Sequence, residues 1–244
     1  MNRPRNDPAF ALPAQTLLKL KPARDLYYLR RSIPDLAQFR VAFRLVKLWA
    51  TSRGIYASKL GYLGGIHLSV MLSRVYKMLL HEGSVVSVPD LVVTFFSHYA
   101  RFDWKKDVIF DPLFHKQLRY TRTFREPMCL LGWHAPTLNT AVAASTPTVK
   151  TIATEFGRAD RMLTEGGLTW FSFLGASSSP HASSKLVGSA AEFLQGYKTY
   201  AKIEVHYWGP SLAKGSALVG WLESRCVAVL VGTWPPTHYS LKLA

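Results

Sequence analysis

From Asp35 to Arg53 the apolar residues fall on one helical stripe: Phe39, Phe43, Val46 and Ala50 recur at i, i+4, i+7 and i+11, the period of an amphipathic α-helix. Arg40, Arg44 and Lys47 repeat the same spacing one residue later, so a basic stripe runs beside the buried one. Gly54 stands where a helix C-cap belongs. Gly61-Tyr62-Leu63-Gly64-Gly65 reads as a tight turn feeding a second apolar helix over about 66–80, and a third is predicted after Pro89 from Leu91, Val92, Phe95, Phe96 and Tyr99. Three such signals in close succession predict a helical bundle reaching about Trp104. Between 105 and 150 the pattern is mixed, cut into short pieces by Pro112, Pro127, Pro136 and Pro147. A further helix is predicted over about 148–163, ended by Gly166-Gly167.

The two ends read differently. Residues 1–22 read as a flexible arm in which Pro4, Pro8, Pro13 and Pro22 break any long helix. Residues 175–184, rich in Ser, Ala and Gly, read as a loop or linker. Beyond it the period becomes two: Ala201, Ile203, Val205 and Tyr207 alternate with Lys202, Glu204, His206 and Trp208, as on a half-buried strand. Leu212, Val219 and Leu222 then mark a short helix, and 226–231 an apolar strand. The expected fold class is therefore α+β: a helical central bundle over 23–165, followed over 166–244 by a small β-α-β domain of ferredoxin or RRM-like type, with strands at about 200–208 and 225–231.

Charge narrows the functional classes. Thirty Lys and Arg against fifteen Asp and Glu leave a formal net charge of +15 on 244 residues, which implies a polyanionic partner. Two cysteines exclude a disulfide-dense scaffold and a multi-cysteine zinc module. No stretch approaches the ~18 uninterrupted apolar residues of a membrane span, and no signal-peptide pattern opens the chain, so an intracellular protein without a membrane partner is expected. The phosphate-binding G-x-x-x-x-G-K-[ST] loop, G-x-G-x-x-G, G-x-S-x-G and H-E-x-x-H are all absent. Ser177 to Ser179 beside His181 have no fixed neighbouring acid and read as a solvated loop.

One segment is distinctive. Phe39-Arg40, Arg44, Lys47, Trp49-Ala50, Ile55-Tyr56 and Gly61-Tyr62-Leu63-Gly64-Gly65-Ile66 closely resemble, in residue type and in every gap, the central domain of eukaryotic poly(A) polymerases. Met128 to Pro136 with Asn139, Ser145 and Thr146 resembles a later stretch of the same family. Tyr197-Lys198-Thr199-Tyr200 and Leu218 to Arg225 are similar to motifs of its C-terminal RNA-binding domain. The resemblance spans about 23–232 in family order.

That resemblance implies template-independent addition of adenylate to RNA 3′ ends, in the nucleus, with ATP and RNA as partners. Its ATP contacts fall on Lys47, Tyr56, Gly65 and Ile66. A helix lysine offers a mobile charge to triphosphate oxygens, a tyrosine offers a hydroxyl and a ring, and a glycine pair entering a helix lets backbone N–H groups approach a phosphate. Without the resemblance the same residues read as a solvated lysine, a core tyrosine and a chain turn. Candidate RNA contacts are Arg40, Arg44, Lys198, Lys202 and Lys214. Two departures border the base pocket: Ala57-Ser58 stands where the family has Ser-Asn, and Ile66-His67-Leu68 where it has Val-Ser-Trp. His67 is expected to make a local hydrogen bond. No D-x-D pair of acids occurs, so catalytic residues and metal ligands are assigned to none of these positions. The Mg²⁺ or Mn²⁺ of the family's two-metal chemistry is expected only through a nucleotidyltransferase domain supplied by another chain or a longer gene product. A non-catalytic RNA-binding or scaffold paralogue is the alternative.

Overall fold

The computed structural model describes residues 12–83, 85–118, 120–135, 138–165, 170–173, 204, 206–209 and 211–230. Helix α1 is Ala14–Ser32, α2 Leu36–Ser52, α3 Gly65–His81, α4 Val88–Ala100, α5 Thr146–Thr164, α6 Trp170–Phe173 and α7 Leu212–Leu230. A short 3₁₀ turn, Ser58–Leu60, lies between α2 and α3.

The start signals are those the sequence encodes. The Asp35 carboxylate accepts the Gln38 N–H at 3.0 Å and caps α2. Ser87 caps α4, with Pro89 in the first turn. Ser145 and Thr148 form a reciprocal capping box on α5. The inward stripe of α2 is Phe39, Ala42, Val46, Trp49 and Ala50, with Phe43 only partly buried against the core.

Helix α4 packs against α2, α3 and α5, and the core centres on Phe156 of α5. The Trp49 ring lies 4.6 Å from Phe96 and 5.2 Å from Phe156, and Phe95, Tyr99 and Trp104 complete the ring of neighbours about Phe156. Across the same junction, the Arg53 guanidinium donates two hydrogen bonds to the Glu155 carboxylate, Nε at 2.7 Å and an Nη at 3.1 Å. Both side chains are buried.

The segment 101–145 crosses the bundle in irregular structure held by side chains. Arg122 donates to the carbonyls of Trp104, Asp107, Glu126 and Pro127. Asn139 accepts from the N–H groups of Leu130 and Ala141 and donates to Glu126 and to the Met128 carbonyl. The fully buried Asp111 carboxylate accepts from Lys77 of α3, from the Trp133 indole at 2.9 Å and from the Tyr28 hydroxyl at 3.2 Å. Burial alone would raise the Asp111 carboxyl; the hydrogen bonds and charge of Lys77, with Trp133, outweigh it and hold it below its ordinary value.

Two expectations are corrected. The α+β fold class fails: the described residues are helical and contain no sheet, only isolated bridges pairing Ile109 with Leu130 and Leu131 with Asn139. No β-α-β ferredoxin or RRM-like unit is present among them. The apolar run from 226, read as a strand, continues α7 to Leu230; a short apolar run fits a buried strand and a helix end equally, and the Ala- and Leu-containing helix beginning at Leu212 decides it. Of the strand read at 200–208, residues 204 and 206–208 are described and carry no strand; the rest lies outside the described residues, as does the 175–184 tract. At the other end, the chain is helical from Ala14 and passes through Pro22. Proline removes one backbone donor, but Leu17, Lys21, Asp25 and Leu29 are buried at successive i+4 steps, and Lys21 bonds Asp25 at 2.6 Å. Packing of that stripe outweighs the loss.

Removing one partner of a buried ion pair strands the other charge, at a cost of ~3–5 kcal/mol. Glu155→Leu should therefore lower unfolding stability by about that much. Arg53→Met combined with Glu155→Leu should recover most of the loss. Chemical denaturation of both variants measures this, and equal losses would mean the pair is not the linkage between α2 and α5.

Candidate functional site

The residues between α2 and α3 form a closed turn. Ile55 is buried; its N–H donates to the Ala50 carbonyl at 2.9 Å and its own carbonyl accepts from Leu63 at 3.0 Å. Between them Tyr62 donates to Ala57 and Gly61 to Ser58. Gly61 has φ 82°, and a Cβ there would lie 2.5 Å from the Ala143 carbonyl oxygen, so both conformation and space require glycine. A Cβ on Gly64 would lie 2.8 Å from Ser58 Cβ. The double glycine thus lets the start of α3 close against the 3₁₀ turn.

This turn brings the sequence-predicted residues together. Lys47 is exposed in the last turns of α2, and its Nζ stands 5.2 Å from the centre of the Tyr56 ring, within cation–π range. Tyr56 is half-buried, and its hydroxyl faces the start of α3: a Cβ on Gly65 would sit 3.4 Å from it. Ile66, next in line, is half-buried and lines a cavity of about 480 Å³ walled by Leu29, Trp133 and Thr140, with Lys21 and Asp25 at its side. No side chain caps α3, leaving its first-turn N–H groups available at the positive end of the helix dipole.

The cluster is positive and open. Lys47 forms no ion pair with an acid among the described residues. Arg40 and Arg44 are exposed on the same face of α2. Lys214 is exposed on α7, a helix that comes against the Ser58–Leu60 turn. Lys198 and Lys202 lie outside the described residues.

His67 is buried one step further along α3 and donates from Nε2 to the Thr140 carbonyl at 3.0 Å. Burial lowers its pKa, against the backbone hydrogen bonds that raise it. A neutral imidazole tying α3 to the 138–144 stretch is a positioning element, and matches the local hydrogen bond expected of it. Sequence reasoning missed Trp133 and Thr140 as cavity walls, since neither stands in a periodic stripe.

Divalent metal has no seat here. Among the described residues no three His, Cys, Asp or Glu side chains gather as a metal would require. The buried acids are engaged otherwise: Asp25 with Lys21 and His134, Asp111 with Lys77, Glu155 with Arg53. The residues present do not fit a two-metal centre, and no step through one is assigned to them.

The sequence profile described as the poly(A) polymerase central domain matches residues 38–169, which takes in α2 to α5 and the whole Lys47–Tyr56–Gly65–Ile66 corner. The chain belongs to the poly(A) polymerase family. Its relatives include a poly(A) polymerase of Dictyostelium discoideum, 24% identical over 220 residues, covering 86% of this chain and 25% of that protein. Nuclear poly(A) polymerase 4 of Arabidopsis thaliana is 24% identical over 218 residues, 86% of this chain and 27% of the relative. Poly(A) polymerase pla1 of Schizosaccharomyces pombe is 30% identical over 97 residues, 40% of this chain and 16% of the relative. The chain thus spans about a quarter of the length of the first two. The shared part of a poly(A) polymerase that it represents is the central domain.

His67 makes stability pH-dependent with a definite sign. Its folded pKa is lowered, so below the unfolded value of about 6.5 the unfolded chain binds the extra proton and stability falls as the pH is lowered. His67→Gln keeps a donor for Thr140 but does not titrate. Thermal melts should show the variant losing less stability than the wild type between pH 7.5 and pH 5; parallel losses would show that His67 does not carry this dependence.

Proposed function

We propose that this chain supplies the nucleotide-facing middle of a poly(A) polymerase, binding ATP and RNA for adenylate addition in the nucleus. The observation that carries the reading is the convergence of Lys47, Tyr56 and Gly65, three residues from three elements, on one exposed corner at an uncapped helix start. In this reading the Lys47 ammonium meets triphosphate oxygens, and Tyr56 orients it from below through its ring while its hydroxyl meets phosphate or ribose. The first N–H groups of α3 add donors beside the Tyr56 hydroxyl, which a Cβ on Gly65 would only touch, at 3.4 Å. Ile66 offers an apolar edge to the base.

Phosphoryl transfer depends on positioning and on electrostatic stabilisation by metal ions. The carboxylates for those ions are absent from the described residues, so the role proposed for these side chains is to bind and orient the nucleotide. The acids come from a nucleotidyltransferase domain on a longer product or another chain. RNA contacts are proposed along the exposed face of Arg40 and Arg44, with Lys198, Lys202 and Lys214 contributing from the C-terminal part. Relatives named nuclear poly(A) polymerases support the nuclear assignment.

The variants Lys47→Ala, Tyr56→Phe and Trp49→Ala test the site. A charge-assisted contact is worth ~1.5–3 kcal/mol and a neutral one ~0.5–1.5 kcal/mol. Calorimetric ATP binding should weaken more for Lys47→Ala than for Tyr56→Phe, with melting temperature nearly unchanged in both. Trp49→Ala should instead destabilise the fold by ~3–5 kcal/mol, because it empties a fully packed site. If Lys47→Ala lowers the melting temperature as much as Trp49→Ala and leaves ATP affinity alone, Lys47 is structural and the proposal fails.

A further inference from the structure

On the far part of α3 a second positive cleft opens, of about 660 Å³, between α3, the end of α4 and the stretch that follows it. Its walls carry the cations Arg74, Arg101 and Lys106 against a single acid, Asp107; His98 also lines it, its pKa lowered by burial and by the Arg74 charge. Arg74 lies nine residues along α3 from Gly65, about 13 Å at the helical rise, so the cleft is separate from the nucleotide corner.

The cleft is built rather than merely charged. Arg74 stacks 5.3 Å from the centre of the Phe110 ring and reaches the carbonyls of Val108 and Phe110 only at 3.4 Å each, while its Nε is buried without a partner. The Nε2 of His98 is also buried without a partner. Both nitrogens are sealed from solvent, so packing fixes the inner wall, and the charge it brings to the cleft is that of Arg74. At the mouth, Arg101 and Lys106 are exposed, and Lys106 Nζ pairs with the Asp103 carboxylate at 3.8 Å in solvent, a contact worth little.

We propose that this cleft is a second phosphate-binding site that takes backbone phosphates of a single-stranded RNA, apart from the nucleotide corner. Arg74 and the His98 ring form its inner wall, and Arg101 and Lys106 the outer clamp. The chemistry asked for is a phosphate oxygen accepting several N–H donors. The polymer, rather than a free nucleotide, fits cations strung from the inner wall to an open rim, because successive phosphates meet successive charges. The proposal deepens the RNA part of the function above and rests on that reading.

The test uses the full 244-residue chain, a fluorescent oligouridylate and a salt titration. The double variant Arg101→Gln, Lys106→Gln changes only exposed side chains and should fold. It should bind the strand several-fold more weakly, with a log–log salt slope shallower by about 1.4, two contacts at ~0.7 each, and with ATP affinity unchanged. Arg74→Gln, checked by its melt, should weaken the strand further. An unchanged slope and affinity in the double variant overturn the cleft, even if ATP binds at Lys47. Loss of strand binding in the double variant while the wild type shows no ATP binding supports the cleft and overturns the nucleotide corner instead. If ATP or inorganic phosphate at low millimolar concentration displaces the strand from the wild type but not from the double variant, the cleft is a mononucleotide or phosphate site and the RNA assignment is overturned.

Discussion

The bidentate pair between Arg53 and Glu155 is the constraint on which the rest of the architecture turns. It joins the residue just after α2 to the middle of α5, 102 positions away, in a place largely closed to water. Burying both charges is costly, and the pair persists because two aligned hydrogen bonds compensate for the lost hydration. Its geometric consequence outweighs its energetic one. With Arg53 anchored, the chain must leave α2 at a fixed angle, Gly54 takes φ 68°, and Ile55 drops into the core. Tyr56 then points back toward both Lys47 and Gly65. The aromatic cluster about Phe156 fills the centre of the core, and the ion pair fixes where the 53–65 turn leaves it.

A second layer of buried polar groups holds what has no regular structure. Lys77–Asp111, Lys21–Asp25–His134 and Glu126–Asn139 each join segments distant in sequence. For Asp25, burial pushes the carboxyl up, but hydrogen bonds from His134 and Lys21 more than reverse it, leaving it below the ordinary value. Between 101 and 145 the backbone makes few ladder bonds, so these side chains perform the work that a sheet does elsewhere. The 480 Å³ cavity beside Ile66 owes its wall to the same network, because Trp133 is held by Asp111 and Thr140 bonds to Leu130.

What the sequence made legible follows the physics of each signal. Helices α2 to α5 were readable because apolar periodicity, caps and glycine stops agree with one another over long stretches. Membership of the poly(A) polymerase family was readable because Lys47, Tyr56 and Gly61 to Ile66 recur with fixed gaps. The stripe of α1 was not, since two of its four buried positions are Lys21 and Asp25, which look exposed until they are seen to pair. Trp49 stands off the four-residue stripe but was legible as a core side chain, and it is among the most deeply buried. The β-α-β reading failed because a short apolar run after Ser224 carries no period of its own. Long-range pairs such as Arg53–Glu155 leave no local trace at all.

If packing at the α2–α3 corner presents Lys47, Tyr56 and the first turn of α3 to a nucleotide, ATP binding must be felt there. Amide chemical-shift mapping by NMR during an ATP titration tests it most directly. Saturable shifts centred on Tyr56, Gly65, Ile66 and His67 are expected, with Arg53 and Glu155 unmoved. Shifts confined to other parts of the chain, or none at saturating ATP, would contradict it.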